Sequence, residues 1–280
     1  MAETRTVELG DIRVEVAEAG RGGRPLLLVH GFTGAKEDFR DAIDPLAVEG
    51  YWVVAPDQRG HGASSHPEGE SSYHLDRFVD DLIALMGSLG WDRADVLGHS
   101  MGGMVAQLLI LRRPDLVSRL VLMDTCPGVI DGMDPEIMRL GVDLCRAEGL
   151  GSVLAVQKMG EAALETPAHR RMVAEVPGWE AWEDHKLLAC APDMWSSVVL
   201  QFMAIDDRLD ALRAVAVPTL VMVGDQDGPF LGASDDMVAA IGDARLAVIP
   251  DAGHSPQFEN PSPWYRALST FLGPAPPTAG

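Results

Sequence analysis

Cysteine is scarce in this 280-residue sequence, which contains only Cys126, Cys145 and Cys190. Their number is odd, and none of the intervals between them is as short as the spacing of a metal-binding pair. A disulfide framework and a cysteine metal site are therefore both disfavoured. We expect three reduced, buried thiols, as is usual in proteins of the cytoplasm.

Basic residues are also few, and long apolar runs are absent. Lys and Arg number 22 against 42 Asp and Glu, which gives a formal net charge of −20 at pH 7 and a pI near 4.6. This charge would repel nucleic acid and anionic membranes, so we expect neither as a partner. The sequence has no run of about 18 apolar residues, and its first residues lack the apolar core of a signal peptide. These absences predict a cytoplasmic protein.

The sequence does contain two alternating hydrophobic periods. Residues 6–9 and 12–17 alternate apolar and polar side chains, as half-exposed antiparallel strands do. Nearly all-apolar runs, typical of strands buried on both faces, lie at 25–29, 52–55, 96–97, 120–123, 219–223 and 244–249. A helical stripe at 78–89 and a closing helix after Pro261 complete the pattern. This alternation predicts an α/β fold with a doubly wound, mostly parallel sheet.

The region 127–209 interrupts this rhythm, because it holds several helical stretches and no buried-strand run. We interpret it as a helical lid inserted after the sixth strand, over a core formed by residues 1–126 and 210–273. The proline-rich residues 274–280 are expected to form a flexible tail. Aromatic walls suit apolar ligands, so Trp179, Trp182 and Trp195 of the lid are candidates for the substrate pocket.

The strongest chemical signal is the segment 98–103, Gly-His-Ser-Met-Gly-Gly, between a predicted strand and a predicted helix. A nucleophile elbow needs small residues two before and two after its serine, since strand and helix nearly touch there; Gly98 and Gly102 supply them. Ser100 is therefore the candidate nucleophile. The Met101 N–H, at the helix N-terminus, is a candidate donor to an oxyanion.

A serine nucleophile needs a base and a carboxylate that orients the base. His254 follows the apolar run 244–249, at a strand end where doubly wound folds place their sites. Asp227 follows the run 219–223, and the order Ser100, Asp227, His254 is the one expected for this layout. Asp225 and Asp124 compete with Asp227 for the acid position.

A second oxyanion donor is expected from the glycine-rich segment 30–34, where the Phe32 N–H follows the third strand. His30, His61 and His99 are expected to bond backbone groups, without transferring protons. Asp57 and Arg59 are expected to brace the loop around Gly60 and Gly62 as an ion pair with each other.

Five segments in order resemble the motif series of the α/β-hydrolase superfamily: 30–32 (His-Gly-Phe), 57–62 (Asp-Gln-Arg-Gly-His-Gly), 98–103, 224–227 (Gly-Asp-Gln-Asp) and 253–254 (Gly-His). The resemblance spans nearly the whole chain outside the lid. It points to the small, lidded esterases, enol-lactonases, C–C hydrolases and cofactor-free haloperoxidases. It implies the acid role for Asp227, a serine acyl-enzyme, and neither metal nor cofactor.

The leading hypothesis is therefore a serine hydrolase of a small, apolar carboxylic ester or lactone. Hydrolytic C–C cleavage of a dienoic keto acid is an alternative that needs a cation for the substrate's carboxylates. Arg112, Arg113, Arg146 and Lys158, near the elbow helix or in the lid, are the candidates, and none lies in a recognisable motif. Haloperoxidase or perhydrolase chemistry is another, although those relatives usually carry Trp at the position of Phe32. A ligand receptor built on the hydrolase fold is a third. Ser100 argues against epoxide hydrolase chemistry, which uses a carboxylate nucleophile. Either a monomer or a homodimer is compatible with the sequence.

Overall fold

The computed structural model describes residues 1–160 and 165–274 of the chain. An eight-stranded sheet in the order β1-β2-β4-β3-β5-β6-β7-β8 forms its centre. The strands are β1 Glu3–Leu9, β2 Ile12–Ala19, β3 Arg24–Val29, β4 Tyr51–Pro56, β5 Ala94–His99, β6 Val117–Met123, β7 Thr219–Gly224 and β8 Ala244–Ile249. β2 pairs antiparallel with β1 and β4, and the remaining pairs are parallel. The predicted fold class is therefore confirmed.

Helices cover the sheet and lie in the connections between its strands. The α-helices of the described residues are α1 Arg40–Val48, α2 Leu75–Ser88, α3 Met101–Arg112, α4 Pro135–Glu148, α5 Leu150–Gln157, α6 Pro167–Glu175, α7 Trp179–Leu188, α8 Pro192–Phe202, α9 Leu209–Leu212, α10 Gly228–Ala240, α11 Pro256–Glu259 and α12 Pro261–Leu272. Short 3-10 helices span Lys36–Phe39, Glu70–Tyr73 and Pro114–Leu116. Within the described part of the chain, no helix is both long and apolar enough to cross a membrane.

Strand β3 has an apolar run because it is buried on both faces of the sheet. Leu27 and Val29 belong to the hydrophobic cluster that includes residues of α2 and α3. Leu26 and Leu28 belong to a second cluster, with residues of α1 and α12, on the opposite face of the sheet. All four side chains are fully buried. A central parallel strand covered on both faces has no polar side.

Strand β8 differs from the prediction that it is buried on both faces. It forms at the predicted residues, but Leu246 and Val248 are exposed. The reason is its place in the sheet: β8 is the last strand in the order and pairs only with β7. The sequence run identified the strand correctly, whereas the prediction of its burial was wrong.

The chain between β6 and β7 carries α4 to α9 and, among its described residues, no strand. This arrangement is compatible with the predicted lid at 127–209, whose function and boundaries stay a prediction. Of the predicted flexible tail at 274–280, residues 275–280 lie outside the described residues.

The predicted ion pair between Asp57 and Arg59 is wrong, because each binds a different partner. Asp57 is fully buried and accepts hydrogen bonds from the Lys36 Nζ (2.9 Å), the Lys36 N–H (2.7 Å) and the Ala63 N–H (2.9 Å). Arg59 donates two hydrogen bonds to Asp81, at 2.5 and 2.6 Å. The loop after β4 is thus braced twice. The partners lie at distant points in the sequence, which local spacing does not reveal.

The buried pair generates a stability prediction. Asp57→Ala leaves the Lys36 ammonium, whose side chain is 10 % exposed, with only the more exposed Glu37 carboxylate as its ion-pair partner at 2.9 Å. It also removes the acceptor of the Lys36 and Ala63 N–H groups, and we expect a loss of about 3 kcal/mol in the free energy of unfolding. Urea denaturation measures this loss. The matched control is Asp115→Ala, which removes an aspartate from the exposed ion pair with Arg113 and is expected to cause no measurable change. Equal effects of the two substitutions would contradict the prediction.

Candidate functional site

Ser100 lies at the turn between β5 and α3, with φ 54° and ψ −119°. This left-handed backbone is strained for a residue with a Cβ. It is held by hydrogen bonds from the Ser100 N–H to the Met123 carbonyl (2.8 Å) and from the Thr125 hydroxyl to the Ser100 carbonyl (2.8 Å). A Cβ on Gly98 would overlap the Gly102 carbonyl, and one on Gly102 would overlap the Val29 carbonyl. The glycines are therefore required by the close approach of strand and helix, as predicted.

The structure brings Ser100, His254 and Asp227 together, although they come from three separate loops. The Ser100 Oγ lies 2.9 Å from the His254 Nε2, and the His254 Nδ1 lies 2.8 Å from the Asp227 Oδ2. A carboxylate oxygen only accepts, so Nδ1 carries the proton and Nε2 accepts from the serine hydroxyl. The Asp227 side chain is 1 % exposed and that of His254 is 16 % exposed. This relay can draw the proton from the hydroxyl as it attacks.

The two alternative acids occupy other positions. Asp225 is exposed, and its Oδ1 accepts a hydrogen bond from the Ala252 N–H at 3.2 Å. Asp124 is fully buried at the end of β6, where its Oδ1 accepts from the Gly224 N–H at 2.9 Å. Burial and the neighbouring Asp227 carboxylate raise the pKa of Asp124 well above its ordinary value. Of the three aspartates, only Asp227 forms a hydrogen bond with the His254 ring.

Three residues that the sequence analysis did not connect with the site hold His254. The Glu259 Oε2 accepts hydrogen bonds from the N–H groups of Gly253 (2.6 Å) and Ser255 (3.1 Å), on either side of the histidine. The His99 Nε2 donates to the His254 carbonyl at 2.7 Å. The Phe230 ring stacks on the imidazole with a centroid distance of 4.9 Å. The contacts of His99 and Phe230 have no local sequence signal, because they join distant segments. Glu259 lies only six and four residues from Gly253 and Ser255, but no motif in this segment marks its role.

The motif histidines bond backbone carbonyls, as expected. The His30 Nδ1 donates to the Gly31 carbonyl at 2.7 Å, and the His61 Nδ1 donates to the Arg59 carbonyl at 3.0 Å. Burial lowers the pKa of both rings, and burial together with the nearby His254 lowers the pKa of His99 to about 3. All three are therefore neutral at physiological pH and serve as hydrogen-bonding groups.

The candidate oxyanion donors are the N–H groups of Phe32 and Met101. Phe32 lies in the turn closed by the hydrogen bond from the Gly34 N–H to the Gly31 carbonyl, at 3.1 Å. A Cβ on Gly31 would lie 3.0 Å from the Ser100 Cβ, so this turn passes directly beside the serine. Met101 is the first residue of α3. Neither N–H donates a hydrogen bond to another described residue, which leaves both available to a ligand.

The three candidate pocket tryptophans separate into two groups. Trp195 packs near Phe32, with ring centroids 6.0 Å apart, and therefore lies beside the candidate oxyanion turn. Trp179 and Trp182 pack on each other and on Phe258 of α11, with centroid distances of 4.9 to 5.3 Å. The Lys186 Nζ lies 3.9 Å from the centroid of the Trp182 ring. This second group joins α7 to the core.

The cations considered for a substrate carboxylate all form ion pairs with side chains outside the triad: Arg112 with Asp80, Arg113 with Asp115, Arg146 with Glu70, and Lys158 with Glu180 and Asp184. Among residues 1–160 and 165–274, one group of side chains is close enough together to hold a metal ion. One oxygen of Asp124, one oxygen of Asp227 and one nitrogen of His254 lie within 4.8 Å of one another. Both His254 nitrogens are already hydrogen-bonded, so metal binding there would break the relay.

A groove of about 520 Å³ lies between α1 and α12. It is lined by Phe39, Phe258, Trp264 and Tyr265, among others, and neither Ser100 nor His254 contributes to its wall. The groove is thus separate from the relay.

The sheet, the strained serine turn and the Ser-His-Asp relay together define a hydrolase architecture. The family model described as "alpha/beta hydrolase fold" matches residues 24–261. The chain belongs to this family and is a hydrolase.

Individual relatives span most of the chain. Epoxide hydrolase A of Mycobacterium tuberculosis is 28% identical over 319 aligned positions, covering 96% of each chain. A thermophilic esterase from Thermogutta terrifontis superposes with a TM-score of 0.81 at 27% identity, covering 97% of this chain and 98% of the esterase. Est816, described as an N-acyl homoserine lactone degrading enzyme, superposes with a TM-score of 0.77 at 25% identity, covering 95% and 100%. Several further relatives align over only 103 to 122 residues, half or less of their own length.

The close approach at Gly102 generates a prediction for the site. Gly102→Ala must push α3 away from the carbonyls of Val29 and His30, which displaces the turn that carries Phe32. A displacement near 1 Å costs about 10²-fold in turnover, and ester hydrolysis rates measure it. The control is Gly87→Ala in α2, where the added Cβ meets open space and turnover should not change. Full activity in Gly102→Ala would contradict the geometric role of this glycine.

Proposed function

We propose that this hydrolase cleaves a small, apolar carboxylic ester or lactone through an acyl-enzyme formed on Ser100. The observation that carries the proposal is the continuous hydrogen-bonded relay, 2.9 Å from the Ser100 Oγ to the His254 Nε2 and 2.8 Å from the His254 Nδ1 to the Asp227 Oδ2. A serine hydroxyl is a weak nucleophile unless a base lies within hydrogen-bond reach, and this arrangement supplies the base and its orienting acid.

In the proposed mechanism, the Ser100 Oγ attacks the substrate carbonyl carbon while the His254 Nε2 takes the hydroxyl proton. The resulting oxyanion accepts hydrogen bonds from the N–H groups of Phe32 and Met101. His254 then returns the proton to the departing alkoxide, which leaves as the alcohol. Water, deprotonated by His254, hydrolyses the acyl-enzyme and regenerates Ser100. Asp227 stabilises the imidazolium in both steps and holds its tautomer.

The relatives support ester and lactone substrates more than epoxides. The esterase of Thermogutta terrifontis and Est816 both resemble this chain over nearly its whole length. Epoxide hydrolase A is also similar over 96% of the chain, but opening an epoxide with a carboxylate gives an ester that water can cleave. Attack by the Ser100 hydroxyl would give an ether, which has no carbonyl for water to attack. The identity of the nucleophile therefore favours acyl transfer.

The observed ion pairs favour an uncharged substrate. The four cations considered for the carboxylates of a dienoic keto acid, namely Arg112, Arg113, Arg146 and Lys158, are all held in ion pairs with carboxylates outside the relay. Aromatic rings do lie near the proposed oxyanion turn. The centroid of the Phe32 ring is 6.0 Å from that of Trp195 and 5.4 Å from that of Phe202. Ester or lactone hydrolysis is therefore the better proposal, with C–C hydrolysis as the reaction that the same assays can exclude.

The helices α4 to α8 are proposed to form the lid, with specificity as their role. Trp195 of α8 packs near Phe32, and the ring tip of Trp195 lies 3.2 Å from where a Cβ on Gly141 of α4 would be. Trp195 thus links two lid helices to the turn that carries a proposed oxyanion donor. A wall of this kind discriminates among acyl groups by shape and leaves the activation of the serine to the core.

The reaction is tested by replacing the nucleophile. Ser100→Ala is expected to lower kcat for p-nitrophenyl acetate or butyrate by about 10⁴-fold or more, with a residual rate from binding and the oxyanion donors. Intact-mass spectrometry with a fluorophosphonate should show one adduct on the wild type, at Ser100, and none on the variant. The control Ser88→Ala changes an exposed serine of α2 and should retain both turnover and labelling.

Other outcomes would assign the protein differently. Retention of more than about a tenth of the wild-type rate in Ser100→Ala is incompatible with serine-based hydrolysis. A wild-type protein that releases one equivalent of p-nitrophenol and then stops would be a ligand receptor. Turnover of a dienoic keto acid without turnover of any ester or lactone would identify a C–C hydrolase.

The lid proposal predicts a change in chain-length preference. Trp195→Ala should shift the preference towards longer p-nitrophenyl esters, because removal of a hydrophobic wall changes discrimination by about 1–3 kcal/mol. Rates with the acetate should fall much less. The control Trp182→Ala removes a tryptophan packed on Phe258 and should leave the chain-length profile unchanged. An unchanged profile in Trp195→Ala would show that Trp195 is a packing residue.

A further inference from the structure

A second buried carboxyl group, that of Asp124, adjoins the proposed triad and forms no hydrogen bond with Ser100. One oxygen of Asp124, one oxygen of Asp227 and one nitrogen of His254 lie within 4.8 Å of one another. Asp124 and Asp227 are 0 % and 1 % exposed. Two carboxylates this close, and this far from water, repel each other strongly if both are ionised. Within the described part of the chain, no cation forms an ion pair with Asp124.

The hydrogen bonds account for only half of the carboxyl oxygens of this pair. The Asp227 Oδ2 accepts from His254, and the Asp124 Oδ1 accepts from the Gly224 N–H. The Asp227 Oδ1 and the Asp124 Oδ2 are both buried and find no donor among the described residues. Buried polar atoms of this kind are rarely left unpaired. A single proton between the two carboxyl groups would pair both atoms at once.

We propose that Asp124 is a neutral positioning residue, whose protonated Oδ2 donates a hydrogen bond to the Asp227 Oδ1. The pair then carries one negative charge, which resides on Asp227 beside His254. The hydrogen bond fixes the orientation of the Asp227 carboxylate, so that its other oxygen faces the His254 Nδ1. Asp124 thus acts on the relay only through Asp227.

The electrostatic environment agrees with this location of the proton. The titratable groups that face Asp124 are Asp227, His254 and Glu259. Burial is the main cause that raises the pKa of Asp124, and the charge of Asp227 raises it further. Asp227 has the stronger reason to stay ionised, because it accepts the hydrogen bond from the imidazole at 2.8 Å.

Asp124→Asn preserves the proposed hydrogen bond, because the amide of asparagine donates as a protonated carboxyl does. Asparagine also tolerates the left-handed backbone at this position, where φ is 46°. We expect kcat to stay within about threefold of the wild type. Asp124→Gly fits the same backbone but leaves the buried Asp227 Oδ1 unpaired, and kcat should fall by about tenfold or more.

The role of Asp124 in the relay rests on the proposed function, but its protonation state does not. Infrared spectroscopy tests the protonation state of Asp124 without substrate, so its result is independent of the proposed function. The wild-type minus Asp124→Asn difference spectrum at pH 7 should contain the C=O band of a protonated carboxylic acid. The control Asp225→Asn removes an exposed aspartate and should not remove this band. Absence of the band from the first difference spectrum would overturn the proposal.

The pH dependence of kcat/KM gives a second, independent test. If Asp124 is neutral, Asp124→Asn removes no charge, and the acid limb, which reports His254, should not move. If Asp124 is ionised, the substitution removes a negative charge near the imidazolium, which lowers the pKa of His254 and shifts the acid limb to lower pH. A purely structural role for an ionised Asp124 would therefore be recognised by this shift, and the shift would overturn the proposal.

Discussion

The close contact of β3, β5 and α3 around Ser100 is the constraint on which the site depends. Ser100 is held at a positive φ, which costs of order 1–3 kcal/mol in an isolated chain. The surrounding hydrogen bonds from the Thr125 hydroxyl and to the Met123 carbonyl hold this conformation. Because Gly98 and Gly102 have no side chains, the same contact brings the turn of Phe32 beside the serine. The proposed nucleophile and the proposed oxyanion donors are thus positioned by one packing arrangement.

The position of His254 is determined differently, because side chains hold the loop that carries it. Glu259 bonds the N–H groups on both sides of His254, and His99 bonds its carbonyl. Phe230 limits rotation of the ring by stacking on it. A loop held in this way can present a base accurately without secondary structure of its own. Holding the His254 loop in this way requires several buried polar groups. These groups stabilise the loop only if each of them keeps its hydrogen-bond partner.

The sequence was sufficient for the sheet and for the residues that carry the proposed chemistry, because both leave local signals. Two alternating segments and six apolar runs identified the eight strands, and the elbow at Ser100 could be located from its glycines. Contacts between distant segments left no such signal: Arg59 binds Asp81, and His99 bonds the His254 carbonyl. The exposure of β8 also depends on the strand order, which a single run of residues does not specify.

Under the proposed function, the arrangement separates the activation of the serine from the choice of substrate. Ser100, Asp227 and His254 lie on loops at the carboxyl ends of sheet strands, where the sheet itself limits their movement. The aromatic contacts around Phe32 instead join this edge to α8. Changes in α8 can therefore alter the shape of the acyl site without moving the relay. Phe32 is the exception, because its backbone belongs to the proposed oxyanion turn while its ring packs against the proposed lid. The proposed function therefore couples substrate shape and transition-state stabilisation at Phe32.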